Sequence, residues 1–356
     1  MKTAKWLGMI LAVVLVLSMA LVACGTEEPT TPAEPTEPTT PTTPAEPIIL
    51  KLVAHSPASD VATWAQINDF IDLVQARSNG ALTFDFLGGP EIHPGPTLDQ
   101  FTRDGMTDAM YSIPFYYAGS CPELQVAPFL KPEYQVSWFM ENDDLYNLLD
   151  ETVQDGLGLK WMGQLQMAAG PCIWTTDAQP ITGADWSGVK LRVDGPLTAE
   201  LAQHMGASPV NVKYPEIPQA LERGTIDGTT VPITAFYDSK LYEFCSHLLN
   251  IEIYSSGPNM WLNLDTWNNL PANLQETLMD TVKEYQVINA NQMEASNASQ
   301  LQEMTEKYGI QVHEITSEDL VKLNAAQKKV WDEFLKPTIS HAEELESLMA
   351  GHFIWD

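Results

Sequence analysis

"IPQALERGTIDGT", residues 217–229, runs a short helical pattern into an arginine, a glycine, an aspartate three residues on, and a small residue. "LDQFTRDGMTDAM" (98–110) presents the same order about 120 residues earlier. Gly105 and Gly224 stand where a helix ends in a left-handed cap. Asp108 and Asp227 then open the strands that follow. Two copies of one helix–strand unit suggest two similar α/β lobes.

The flanking sequence extends each unit. "IILKLVAHS" (48–56) reads as a strand, with Ser59 or Asp60 as N-cap of a helix to about Ser78. "SNG" (78–80) ends that helix, "ALTFDF" (81–86) alternates as a second strand, and a helix from Thr97 closes at Gly105. This βαβα order predicts a mostly parallel sheet with helices on both faces. In "GVKLRVDGP" (188–196), Val189, Leu191 and Val193 alternate with Lys190, Arg192 and Asp194, the period of a half-buried strand.

Beyond the second unit, "YSSGPNMWLNLDTW" (254–267) predicts a strand leading to Asp265 as N-cap. A long helical run follows from Pro271 to about Tyr308, then a strand in "YGIQVHEI" (308–315). Ser317 is expected to cap a helix to about Phe334, and Pro337 to start a last one. A helix as long as 271–308 can cross both lobes.

The 356 residues and 44% hydrophobic content suffice for two ordinary domains. A formal net charge of −29 argues against nucleic acid or an anionic membrane as partner, because like charge repels along the whole surface. Only four arginines stand against 47 acidic residues, so a well-placed arginine is informative. Apart from Cys24, the cysteines are Cys121, Cys172 and Cys245, an odd and widely spaced set that makes no disulfide framework.

The N-terminus reads as a targeting segment. Lys2 and Lys5 precede the apolar run "WLGMILAVVLVLSMA" (6–20), and "LVAC" (21–24) places small residues before a cysteine. This resembles a bacterial lipoprotein signal peptide over 1–23, cleaved before a lipidated Cys24; the alternative is an uncleaved membrane anchor. Either places the globular part outside the cytoplasmic membrane. Proline then recurs at 29, 32, 35, 38, 41, 44 and 47, matching the three-residue turn of polyproline II. Residues 24–47 are thus expected to form a lipidated, Pro/Thr/Glu-rich tether reaching up to ~70 Å. A ligand for a proline-binding module is the other reading.

Catalytic signatures do not stand out. No phosphate-binding Gly-x-x-x-x-Gly-Lys, His-Glu-x-x-His or Gly-x-Ser-x-Gly occurs, and the seven histidines lack ligand spacing. No cofactor or metal is expected.

The segments together, over about 48–335, resemble the DctP-type solute-binding protein of tripartite ATP-independent periplasmic (TRAP) transporters. "AHSP" (54–57), "SNGALTFDFLGGPEIHPG" (78–95), "DGMTDA" (104–109), "PITGADWSGVKLRV" (180–193) and "GASPVNVKYPEIPQALERGTIDG" (206–228) carry the likeness in order. The resemblance implies a two-lobed periplasmic-binding-protein-like clamshell with hinge strands and a long helix spanning both lobes. Lobe I is expected over 48–169 plus 258–297, and lobe II over 170–257 plus 298–356. It implies a non-enzymatic function: trapping a small organic anion in the interlobe cleft and delivering it to a TRAP membrane permease.

Carried over by position, Arg192 falls on the family's carboxylate-binding arginine, whose guanidinium can give two parallel hydrogen bonds to a carboxylate. Tyr214 falls on an aromatic site position. Val231 stands where many members place a polar amide, and Cys172 where a second arginine often lies. These departures point to a monocarboxylate rather than a dicarboxylate. His93, Tyr111, Phe115, Tyr116, Trp174 and Trp261 complete the candidate site, each with core packing as its plainer reading. Asp108, Glu216 and Asp227 are expected to be structural. The rival readings are a ligand-sensing lipoprotein of the same fold with a membrane signalling partner, and a secreted hydrolase.

Overall fold

The computed structural model describes residues 46–131, 138–165, 170, 172–251, 253 and 257–356. The signal segment, Cys24 and nearly all of the proline-rich tether therefore lie outside the described residues, as do the first three residues of the strand expected from Tyr254.

Eleven described strands form two sheets. The first holds β1 (Ile48–Ala54), β2 (Leu82–Gly88), β3 (Ala109–Ser112) and β4 (Leu159–Gln164). The second holds β5 (Cys172–Thr175), β6 (Lys190–Val193), β7 (Ser208–Asn211), β8 (Gly228–Val231) and β9 (His247–Asn250). The chain then returns to the first sheet with β10 (Asn259–Asn263) and to the second with β11 (Gln311–Glu314). The strand orders are β2-β1-β3-β10-β4 and β11-β9-β5-β8-β6-β7.

The sheets are mixed, each with one reversed strand. In the first, β10 runs antiparallel to both β3 and β4. In the second, β5 runs antiparallel to both β8 and β9. Each reversed strand follows the stretch by which the chain leaves the other sheet, so it enters from the end where its neighbours finish.

The sequence repeat is a structural repeat. Helices Leu98–Arg103 and Ile217–Glu222 lead to β3 and β8, which occupy matching places beside β1 and β6. Gly105 (φ 75°) and Gly224 (φ 65°) adopt the left-handed cap. The next residue closes each helix end: Met106 N–H donates to Phe101 O at 3.1 Å and Thr225 N–H to Ala220 O at 2.9 Å.

The helix Ala272–Tyr308 is 37 residues long and ends at Gly309 (φ 72°). Leu274, Leu278, Val282 and Tyr285 pack into the core of the first sheet, with Phe70 and Leu262. Farther along, Leu301 and Met304 pack into the core of the second, with Trp174 and Phe236. One helix thus spans both lobes. Its middle is polar: Gln286 and Asn289 are buried, and Gln286 Nε2–H donates to Gln164 O at 2.7 Å.

Several expected boundaries shift. Asp60 is the N-cap of helix Val61–Arg77, its Oδ1 accepting Thr63 N–H. Asn263, not Asp265, caps helix Leu264–Asn269, because its shorter reach from the strand end meets Thr266 N–H at 2.9 Å. Thr316, not Ser317, caps helix Ser317–Lys329. Pro337 begins only a single tight turn, Lys336–Thr338, since Ile339 is extended; the last helix is Ala342–Met349. The C-terminal residues then lie along 129–131, with Leu130 bridged to Phe353 and Lys131 N–H donating to His352 O at 2.9 Å.

Candidate functional site

In α/β sheets the ligand crevice forms beyond the carboxyl ends of the strands. Here the ends of β3, β4 and β6 and the start of β10 converge on one pocket. Its wall includes Pro114, Phe115, Gln164 and Asn259 from the first lobe and Asp194 and Pro196 from the second. The space between its walls, open solvent at the mouth included, comes to about 830 Å³. The lobes therefore face each other across a cleft, and Phe115 is the one predicted site residue on the described wall of this pocket.

Arg192 lies two residues before that wall, on β6. It is buried, 7% exposed, and its guanidinium is oriented from both neighbouring strands. Nε–H donates to Val212 O at 3.0 Å, just beyond β7, and Nη1–H donates to Thr230 O at 3.1 Å on β8. A planar cation held this way keeps one orientation.

Tyr214 follows Val212 closely and begins a tight turn, Tyr214–Glu216. The residue is 42% exposed, and its hydroxyl donates to Ala235 O at 2.9 Å and lies 2.6 Å from Ser239 Oγ. Burial pushes the phenol pKa up, the Ser239 hydrogen bond opposes this, Asp238 and Asp60 raise it, and Arg192 lowers it. Asp238 is itself raised, first by burial and then by Asp60. Asp60 belongs to the first lobe, so its field reaches across to the second. Sequence reasoning saw Asp60 only as a helix cap and did not single out Asp238.

The aromatic candidates separate into two groups. Tyr116 is 37% exposed and lies edge-on to Phe115 at 5.0 Å and to His55 at 6.3 Å. His55, missed as a site candidate, turns Nδ1 toward Tyr111 O at 3.2 Å, and burial lowers its pKa. These three stand around the loops that follow β1 and β3. The others serve packing. Tyr111 is buried beneath the helices of the first lobe, where burial drives its phenol pKa far up. His93 stacks on Phe101 at 4.4 Å, with Nε2 3.0 Å from Thr97 Oγ1, and braces its own loop.

Trp174 is fully buried, stacked on Phe236 at 3.6 Å, with Nε1–H donating to Val231 O at 2.9 Å. Val231 and Cys172 face each other in register at the start of β5, both buried in the same core. Trp261 is buried edge-on to Tyr117 at 5.7 Å, and its indole N–H has no partner among the described residues. Trp174 and Trp261 give their faces to lobe cores because alternate strand positions are buried on both sides of these sheets. Cys121 and Cys245, also buried, have thiol pKa values pushed up to about 12, chiefly by burial.

Two facing α/β lobes, strands exchanged between them and a cleft at the strand ends define a two-lobed binding protein. Residues 53–337 match the profile of the DctP family, described as bacterial extracellular solute-binding protein, family 7. The chain belongs to that family and is a TRAP-type extracytoplasmic solute-binding protein.

It is 22% identical over 332 residues to the C4-dicarboxylate-binding periplasmic protein DctP of Rhodobacter capsulatus, covering 86% of this chain and 89% of that one. A TRAP periplasmic solute-binding protein from Ochrobactrum anthropi, with a C-terminus bound in its ligand pocket, superposes with TM-score 0.74 at 20% identity, covering 85% of this chain and 93% of the other. DctP7 of Bordetella pertussis, a receptor binding pyroglutamic acid, superposes with TM-score 0.69 at 18% identity, covering 85% and 99%. Proteins of this family bind small organic anions and work with membrane permease subunits; theirs is a transport class rather than an enzyme class. Among the described residues, no helix is long and apolar enough to cross a membrane.

Proposed function

We propose that this protein captures a small organic monocarboxylate between its lobes, with Arg192 as the anion anchor, and delivers it to a TRAP permease. The observation that carries this reading is the fixed guanidinium, buried near the cleft end of β6 and oriented by carbonyls from both flanking strands. A carboxylate met by such a fork gains two directional, charge-assisted hydrogen bonds. Tyr214, beside it and partly exposed, supplies a ring for the ligand's carbon skeleton. With Cys172 buried in the core, that position offers the cleft no cation, which favours one carboxylate over two. On this reading the mobile bodies are 48–169 with 258–297, and 170–257 with 298–356. Lipid on Cys24 would keep them beside the permease.

The test is a thermal-shift screen of carboxylates on the purified protein, followed by calorimetric titration of the best ligand. Arg192→Ala is expected to cost ~2–5 kcal/mol of affinity, and Arg192→Lys to recover only part of it. Undiminished binding by Arg192→Ala sinks the assignment. Metabolic labelling with a fatty acid, lost in Cys24→Ala, tests the anchor.

A further inference from the structure

We propose that the interlobe pocket just beyond Arg192 is a second binding site, selective for an organic cation with an apolar body. Most of its described wall is apolar, including Phe115, Leu149, Trp161 and Leu197. Its only ionisable groups among the described lining residues are the carboxylates of Glu123 and Asp194; none is basic. An anion entering here meets negative charge from both lobes. An ammonium meets two carboxylates and two aromatic rings, the combination that holds alkylammonium groups.

Glu123 is the stronger argument. It is 1% exposed yet borders the pocket. Its described polar contact is the backbone N–H of Ser340, which donates to Oε1 at 3.0 Å. Among the described residues this buried carboxylate has one neutral donor, which offsets little of the hydration it has lost. A cation in the adjoining pocket supplies that compensation. Trp161 is set for the same guest: its Nε1–H donates to Asn259 Oδ1 at 2.8 Å and Tyr146 stacks on it at 5.5 Å, so the ring is held in place. Asp194, whose Oδ1 accepts the Thr198 hydroxyl, adds negative charge from the opposite lobe.

Calorimetric titration of the full chain with choline and with its uncharged isostere, 3,3-dimethyl-1-butanol, separates charge from shape. Choline is expected to bind about tenfold more tightly than the isostere, or better. Glu123→Gln keeps an acceptor for Ser340 N–H and is expected to erase that preference. Leu197→Trp fills the pocket and is expected to abolish binding of both probes. Arg192→Ala should leave the choline preference intact, so this site and the carboxylate anchor fail or stand separately. The proposal is overturned if choline does not bind or binds no better than the isostere. It is equally overturned if the preference survives Glu123→Gln or binding survives Leu197→Trp.

Discussion

Asp227 grips the Lys190 backbone twice, and its carboxylate also pairs with Lys190 Nζ at 3.3 Å. The carboxylate of Asp227 accepts Lys190 N–H at 2.9 Å, and Asp227 N–H donates to Lys190 O at 2.8 Å. Asp108 grips the Lys51 backbone in the same two ways in the first lobe, at 2.8 and 3.1 Å. In both, the aspartate ties the start of one strand to its parallel neighbour. Asp227→Ala should therefore lower stability by ~1–3 kcal/mol, since it strands a backbone donor. Asp227→Asn, which keeps an acceptor, should retain most of it. Urea midpoints of the three proteins measure this, and ligand affinity should not move.

Trp174 separates packing from binding. Trp174→Ala empties a stacked, fully buried site and should cost ~3–5 kcal/mol of stability. Trp174→Phe keeps the stack on Phe236 but loses the bond to Val231 O, and should cost less. If Trp174→Phe weakens ligand binding while stability holds, the ring touches the ligand after all.

Two buried glutamines grip the stretches between the lobes. Gln286 donates to Gln164 O at 2.7 Å, and Gln327 donates to Ile253 O at 2.8 Å. Replacing Gln327 by Ala leaves a buried carbonyl without its donor, at ~1–3 kcal/mol. Hydrogen exchange should show faster opening around Ile253 in that variant, with the far edge at β2 unchanged.

Acid should weaken the fold through two histidines. Burial lowers the pKa of His55, against the Tyr111 carbonyl and Asp60; burial and then His247 lower that of His313. The folded state thus binds fewer protons than the unfolded chain as pH falls toward and below ~6.5. Their stabilisation is complete above that value and is lost on acidification. The melting temperature should fall between about pH 7 and pH 5, and the slope should flatten in His55→Gln/His313→Gln. An unchanged slope in the double variant contradicts the assignment.

Much of this fold was readable because its signals are local. Gly105, Gly224, Asp108 and Asp227 announce the repeat through backbone requirements that need no neighbours. Pro271 marks the start of the long helix within one residue. The reversed strands were not readable, because whether β10 inserts beside β3 depends on a partner some 150 residues away. The site was less legible than the fold. Trp174, Tyr111 and Trp261 lie on strands buried on both faces, so alternation does not distinguish core from cleft. Asp60, Asp238 and Glu123 were hidden among 47 acidic residues; only tertiary position gives them distinct surroundings.

The late arrival of β10 governs the order in which the molecule can be made. As the chain emerges, β1 to β4 are complete long before residues 259–263 appear. Until then β3 and β4 lack the strand that joins them, and each offers an edge for pairing with another chain. Folding the N-terminal half first, as contiguous domains do, cannot finish either sheet. A ribosome stall or truncation before β10 would leave an adhesive fragment rather than half a receptor.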